Sequence, residues 1–287
     1  MNPTDVVPGI FPGLLWYPGG HCAFSGPLIR LYERLDRLFA GWAAQCAAEE
    51  YQFPPTLPAE ALDRIHYFES FPHLATFPVT LDDEPSNLRG FSTTNSGVGH
   101  NSLSLTKIVP PREVLAPAAC YHFYHNLRDT RCAAPRYLTT RASCFRRESH
   151  YAPLERQWSF TMREIVCIGT AEEVREFLTT KQEELTSFFR RHDLPVAWRN
   201  ATDPFFDPSR SPRYWAQRLD PVKSEMVFAD HLAIGSANFH RNYFGEAFDI
   251  RRDAEPAFSG CIAFGIERWM YAWLTHFGPD ERNWPLP

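Results

Sequence analysis

The segment 144-CFRRESHYAPLERQWSFTMREIV-166 gathers Arg146, Arg147, Glu148, Arg156, Phe160, Arg163 and Glu164 within a chain whose net charge is −5. On an extended strand, residues two apart face the same way, so Arg146 and Glu148 share a face, as do Phe160, Met162 and Glu164. If the two faces coincide, one surface offers a guanidinium, two carboxylates and an aromatic plane, with Arg156 supplied by the loop between. That set suits a nucleoside triphosphate. The ring stacks on a base, a carboxylate reads an exocyclic amine, and fork-shaped arginine donors neutralise separate phosphates. Spacing alone leaves a plainer reading in front, a surface hairpin carrying ordinary exposed ion pairs.

The elements that must hold these residues are two strands, 142–148 and 157–168, joined by the long loop 149-SHYAPLERQ. Farther on, 258-FSGCIAFG-265 reads as a strand. Residues 266–277 form a helix that opens directly after Gly265, with Arg268 in its first turn, a natural place for an anion. Around them, Leu28, Leu31, Leu35, Leu38, Phe39 and Trp42 predict an amphipathic helix over 26–50, and Val174, Phe177, Leu178, Leu185, Phe188 and Phe189 another over 171–193. Residues 59–77 read as a short helix followed by an extended stretch, because Pro72 disfavours helix for its predecessor. A polar loop is expected over 82–100, strands over 118–127, 223–229 and 243–250, and a Pro-, Arg- and Asp-rich loop excursion over 199–221. Strands separated by hairpin loops, with helices before, between and after them, predict an α+β domain: an antiparallel β-sheet flanked by helices, with residues 1–287 in one unit.

Composition narrows the class. With 287 residues, 44% hydrophobic and 22% charged, the chain has the makings of an ordinary globular protein with a sizeable core. The first thirty residues alternate apolar residues with Pro and Gly, so no leader peptide is read, and no apolar run approaches the roughly 18 to 20 residues that span a bilayer. A cytoplasmic protein with no membrane partner is the expectation. The seven cysteines, at 22, 46, 120, 132, 144, 167 and 261, are odd in number and scattered, which argues against a disulfide framework. The acidic balance gives no general pull toward nucleic acid, though local basic patches remain open.

Taken together, the two chemistry-bearing segments resemble the catalytic core of class II aminoacyl-tRNA synthetases. The second motif of that family is F-R-x-E, a loop, then R-x-x-x-F-x-x-x-E. Here Phe145, Arg146, Arg147 and Glu148 are followed by Arg156, Phe160 and Glu164. Its third motif, G-x-G-x-x-R, is matched by Ala263 to Arg268, with alanine in place of the first glycine. The first motif, an interface helix leading into a strand with a proline, finds a counterpart in 61-ALDRIHYFESFPHLA-75. Where ordinary seryl enzymes hold the substrate amine with T-x-E, this chain has Cys120. That substitution resembles archaeal-type seryl synthetases and their truncated relatives, the amino acid:[carrier protein] ligases, which use a Cys, Glu, Cys zinc site. The resemblance implies Cys120, Glu164 and Cys261 as ligands, with a fourth position open for the amine. His122 and His125 are left out of the site as packing residues. The segment 231–248 resembles the family's serine-rich turn and asparagine under the ATP and amino acid, and Ser236 and Asn238 are carried over as ATP-binding residues, although a capped turn before an aromatic strand explains them equally well.

A tRNA-charging relative adds a tRNA-binding arm, for which the residues before Phe145 leave no room, so no tRNA is expected. The resemblance therefore implies an amino acid:[carrier protein] ligase: activation of a small amino acid, glycine or alanine, as an aminoacyl adenylate, then transfer to the phosphopantetheine thiol of a carrier protein. ATP, magnesium, zinc and a homodimer belong to the same expectation. Arg146 is expected to stabilise charge on the α-phosphate, Arg156 and Arg268 to hold the outer phosphates, Phe160 to stack on adenine, Glu148 to help read it, and Glu164 to bind the amino acid through the metal. A compact zinc-dependent seryl-type tRNA synthetase and a non-catalytic interaction subunit are the alternatives. Arg190, Arg191, Arg210, Arg213 and Arg218 are a conceivable docking surface for an acidic carrier, or simply solvated.

Overall fold

A computed structural model describes residues 7–8, 10–96 and 102–286. Leu28, Leu31, Leu35 and Phe39 recur at helical spacing and are fully buried, which turns the first amphipathic pattern into helix α1 (Pro27–Gln45), with proline at its start. The helix stops short of the expected residue 50 because Ala47 takes a left-handed conformation, φ 52°, and the chain re-emerges as strand β1 (Glu49–Tyr51).

The remaining strands of the main sheet are β2 (Arg136–Phe145), β3 (Ser159–Gly169), β4 (Val196–Asn200), β5 (Lys223–Phe228), β6 (Leu232–Arg241) and β7 (Phe258–Gly265). They form a seven-stranded sheet in the order β4-β5-β6-β7-β3-β2-β1. Neighbours run antiparallel except β1, which pairs parallel with β2 from Leu138↔Glu49 to Thr140↔Tyr51. The sheet is thus mixed, where a purely antiparallel one was expected. The connection from β1 to β2 is the long excursion 52–135 rather than a hairpin, and that crossover allows the parallel pairing.

Alternation along the strands divides the core. Ile165, Cys167, Ile262 and Phe264 face one side, where α1, α4 (Ala171–Arg191) and α7 (Ile266–Phe277) cover them, with Phe39 stacked on Phe264 at 4.4 Å. A capping box, Thr170 with Glu173, starts α4. Val166, Ile168, Cys261 and Ala263 face the other side, against the short helices α3 (Tyr121–Asn126) and α6 (Tyr243–Phe248).

Both of those short helices replace expected strands. Cys120, Phe123, Tyr124 and Leu127 are buried, and their offsets of three, four and seven form a helical stripe that the aromatic alternation disguised. In the second, Gly245 lies against the backbone of Ala257, where a Cβ would come within 2.2 Å of the carbonyl oxygen, so the helix packs only because that residue is glycine. Three further expectations are corrected. The stretch read as a polar loop holds α2 (Pro85–Thr94), capped by the Glu84 side chain, while residues 97–100 of it lie outside the described residues. The 199–221 excursion holds α5 (Pro212–Leu219), capped by Ser211. The proposed first-motif counterpart, 61–75, contains short helical turns and no strand; a long helix, a strand and prolines occur in that order from α1 through β1 to Pro54 and Pro55.

Candidate active site

β2 and β3 pair from Arg136↔Ile168 to Phe145↔Ser159, so residues 146–158 form the loop of the hairpin. The strand ends three residues sooner than expected, and Arg146 to Glu148 lie just beyond it. The backbone N–H of Arg146 still reaches Trp158 O at 2.9 Å, which keeps the phase: Arg146 and Glu148 turn inward and Arg147 is exposed. Arg146, Glu148, Arg156, Phe160, Glu164, Ser236, Asn238, Arg268, Cys120 and Cys261 all line one cavity of about 460 Å³. The distances within it define two ends.

One end is cationic. Arg146 donates from Nε to Pro117 O at 2.8 Å and lies over the Phe160 ring, 5.1 Å from its centroid. Arg156 donates to Glu148 Oε2 at 2.9 Å. Arg268, in the first turn of α7, is fixed by Glu155 O at 2.7 Å and Ala233 O at 2.8 Å. Burial, reinforced by the charges of Arg146 and Arg156, lowers Arg268 to about 10. Guanidinium groups that repel one another in a half-closed cavity are stabilised by a polyanion. Beside them both Glu267 carboxylate oxygens accept from Thr161 N–H at 2.9 Å, and burial raises this acid to about 7.

The other end is a buried cluster. Cys120 precedes α3, Glu164 lies on β3 and Cys261 on β7, and one ligand atom from each lies within 4.8 Å of the others. All three are buried. Glu164 Oε1 accepts from Ala119 N–H at 3.1 Å, while Oε2 has no partner. Burial, then the adjacent Cys261, raises Glu164 to about 8. Cys120 is pushed up by its hydrogen bond with Cys261 and by burial, whereas Cys261 is held below the ordinary thiol range by that same bond and by His240 and Asn238. Three buried groups cannot all carry negative charge without a counter-charge, and an orphaned carboxylate oxygen beside two sulfurs is the donor set that suits zinc. The residues therefore fit the metal.

Ser236 and Asn238 lie on strand β6 rather than a serine-rich turn. Asn238 Nδ2 donates to Ser236 Oγ at 3.0 Å and to Cys261 Sγ at 3.3 Å, which puts both at the sulfur end. Sequence reasoning missed His240, whose Nε2 is 3.7 Å from Cys261 Sγ and whose Nδ1 is 3.1 Å from the Tyr124 hydroxyl. Reading 232–241 as a strand would have found it, since Ser236, Asn238 and His240 alternate onto one face. Tyr67, from the 59–77 segment, was also missed. His122 stacks on Phe53 at 4.8 Å, with burial lowering it to about 4, and belongs to packing. The five arginines considered for docking do not share a surface: Arg190 and Arg191 end α4 on the opposite side of the sheet, and Arg213 turns inward over the Tyr243 ring at 4.5 Å.

No protein-family model matches the chain. It is 31% identical over 264 residues to amino acid–[acyl-carrier-protein] ligase 1 of Bradyrhizobium diazoefficiens, covering 89% of this chain and 79% of that protein. It is 32% identical over 246 residues to ligase 2 of the same organism, covering 83% and 72%. Among solved structures, Methanopyrus kandleri seryl-tRNA synthetase, in complex with Aquifex aeolicus tRNASec, superposes with a TM-score of 0.77 at 23% identity, over 95% of this chain and 56% of that one, which shows the class II synthetase fold. On the extent and identity of its likeness to the Bradyrhizobium proteins, the chain belongs to the amino acid–[acyl-carrier-protein] ligases.

Proposed function

We propose that the chain activates a small amino acid, glycine or alanine, with ATP and passes it to the phosphopantetheine thiol of a carrier protein. The observation that carries this reading is the two-ended cavity. A set of arginines suited to a triphosphate shares about 460 Å³ with a Cys, Glu, Cys cluster suited to a metal that binds an amine. The amino acid carboxylate oxygen attacks the α-phosphorus of ATP, the bond to the β-phosphate oxygen breaks, and pyrophosphate leaves. The carrier thiol then attacks the acyl carbon, loses its proton and releases AMP. Arg146 stabilises the charge that gathers on the α-phosphate, Arg156 and Arg268 hold the outer phosphates with magnesium, Phe160 stacks on adenine and Glu148 helps to read it. Cys120, Glu164 and Cys261 would hold zinc, which supplies a Lewis-acidic site for the α-amine. Asn238, bonded to Cys261, and Ser236, bonded to Asn238, bound the space for the amino acid.

Two partner surfaces extend the proposal. Exposed Phe206, Trp215 and Leu219 sit on the excursion with Arg210 and Arg218, a mixed apolar and basic patch suited to an acidic carrier. Phe77, Val79, Leu88, Leu103, Leu105, Ile108 and Val109 are exposed, and α2 buries none of its own residues, which supports a homodimer built on this segment. No helix among the described residues is long and apolar enough to cross a membrane; a cytoplasmic location belongs to the proposal.

The test is ATP–pyrophosphate exchange across the standard amino acids with zinc present, followed by a choice of acceptors. The expected result is exchange with glycine or alanine and radiolabel on a phosphopantetheinylated carrier. Label on tRNA would favour the compact seryl-type synthetase instead, and no exchange with any amino acid would remove both enzymes.

A further inference from the structure

The cavity contains a buried hydroxyl to which the roles above give nothing to do. Tyr67 is 4% exposed, lines the cavity, and its Oη has no hydrogen-bond partner in the protein. A buried, unpaired hydroxyl is costly, so its persistence points to a partner that arrives from outside. Two other buried polar atoms without partners line the same cavity, Glu164 Oε2 and Gln157 Oε1, and both are oxygens able to accept. Tyr67 is the donor among them. Burial raises it to about 12, so the hydroxyl keeps its proton at any working pH.

Its position selects the acceptor. The Tyr67 ring meets Tyr121 edge-on at 6.1 Å, and Tyr121 directly follows Cys120, at the sulfur end. The field of the Arg146 guanidinium, at the cationic end, also reaches Tyr67. An amino acid with its amine at the first end and one carboxylate oxygen attacking phosphorus at the second has one hydrogen-bond acceptor between the two, the non-bridging carboxyl oxygen. His66, just before Tyr67, is held in the left-handed region at φ 48°, which aims the tyrosine into the cavity instead of continuing the preceding turn.

We propose that the Tyr67 hydroxyl donates a hydrogen bond to the non-bridging carboxyl oxygen of the amino acid and keeps it when that oxygen becomes the carbonyl of the adenylate. The inference rests on the activation chemistry proposed above. It makes Tyr67 a substrate-binding residue in both half-reactions: it orients the carboxylate for attack on phosphorus, then supports the negative charge that grows on the same oxygen as the thiol adds.

Two analogue types separate this from a packing role. Glycyl- and alanyl-sulfamoyl adenosine keep the carbonyl oxygen; the adenylates of glycinol and alaninol lack it. Calorimetric titration of wild type and Tyr67→Phe with each pair should show the carbonyl-bearing analogue weakened about tenfold by the substitution and the alcohol-derived adenylate unchanged, with a melting temperature no lower than wild type. In exchange assays the variant should raise KM for the amino acid and leave KM for ATP alone. Equal weakening of both analogues, or of neither, would overturn the role of Tyr67 while leaving activation intact. A wild-type protein that binds neither analogue would overturn the activation reading and the tyrosine's role with it.

Discussion

Arg163 and Glu164 are neighbours on β3 and point to opposite faces of the sheet. Arg163 is buried on the helical side with its charge met from several directions: Nε and Nη2 donate to Asp36 at 2.6 and 3.1 Å, and Nη1 donates to Glu50 at 2.8 Å. Arg141, its cross-strand partner in register, adds a further bond to Asp36 at 3.0 Å. Glu164 is equally buried, yet one carboxylate oxygen is unpartnered and the nearest groups are thiols. A closed network fixes α1 and β1 to the sheet and is finished when the chain folds. An open one is completed only by something the chain does not encode. Burial alone thus does not separate structure from function; satisfaction does.

Substitutions on the two faces should fail in different ways. The largest effect is expected from Arg146→Ala, which removes the guanidinium proposed to meet the α-phosphate: pyrophosphate exchange should fall by about 10²–10³-fold while the melting temperature barely moves. Arg163→Ala should do the reverse, costing about 3 kcal/mol in denaturant unfolding by leaving buried Asp36 with Arg141 as its remaining partner, with KM values unchanged in whatever protein stays folded. If Arg163→Ala altered amino acid KM at full stability, the division between faces would be wrong. Glu164→Gln, nearly isosteric, should abolish zinc retention measured by elemental analysis and leave the metal-free protein as stable as wild type or more so, because it removes a buried ionisable group without breaking an ion pair.

The smallest effect concerns pH. Burial raises Glu267 from its ordinary 4.5 to about 7, so between those values the folded protein binds a proton that the unfolded chain has released. Stability supplied by this group is therefore present below about 4.5 and lost as pH rises toward 7. Melting temperatures measured across that window should fall less steeply in Glu267→Gln, and an unchanged slope would show that the carboxyl is solvated.

The fold class and the long elements were legible in the sequence, and so was which residues of the hairpin share a side. The F-R-x-E and R-x-x-x-F-x-x-x-E spacing put Arg146, Glu148, Phe160 and Glu164 on one surface with Arg156 in the loop, and all five line one cavity, because strand alternation is set by covalent geometry and survives an error of three residues in where the strand ends. The long helices were equally plain in their apolar stripes. Two kinds of shorter element failed: α3 and α6, in which aromatic residues satisfy two periods at once and tertiary packing decides between them, and α2 and α5, whose polar, proline-opened sequences read as loop. His240 and Tyr67 escaped for a different reason: each acquires meaning only from neighbours distant in sequence, Cys261 for one and the cavity wall for the other.

Arg146 lies across the face of Phe160. If adenine stacks there, the base must evict the guanidinium, and a cation over a half-buried ring leaves readily only when a better anion waits nearby. A triphosphate brings both halves of that trade in one molecule, whereas adenosine brings the intruder without the compensation. Selection against bare nucleosides would then follow from where this one arginine sits, with no contact devoted to the task. Affinity for adenosine in Phe160→Leu should fall less than affinity for ATP, as competition against exchange would reveal.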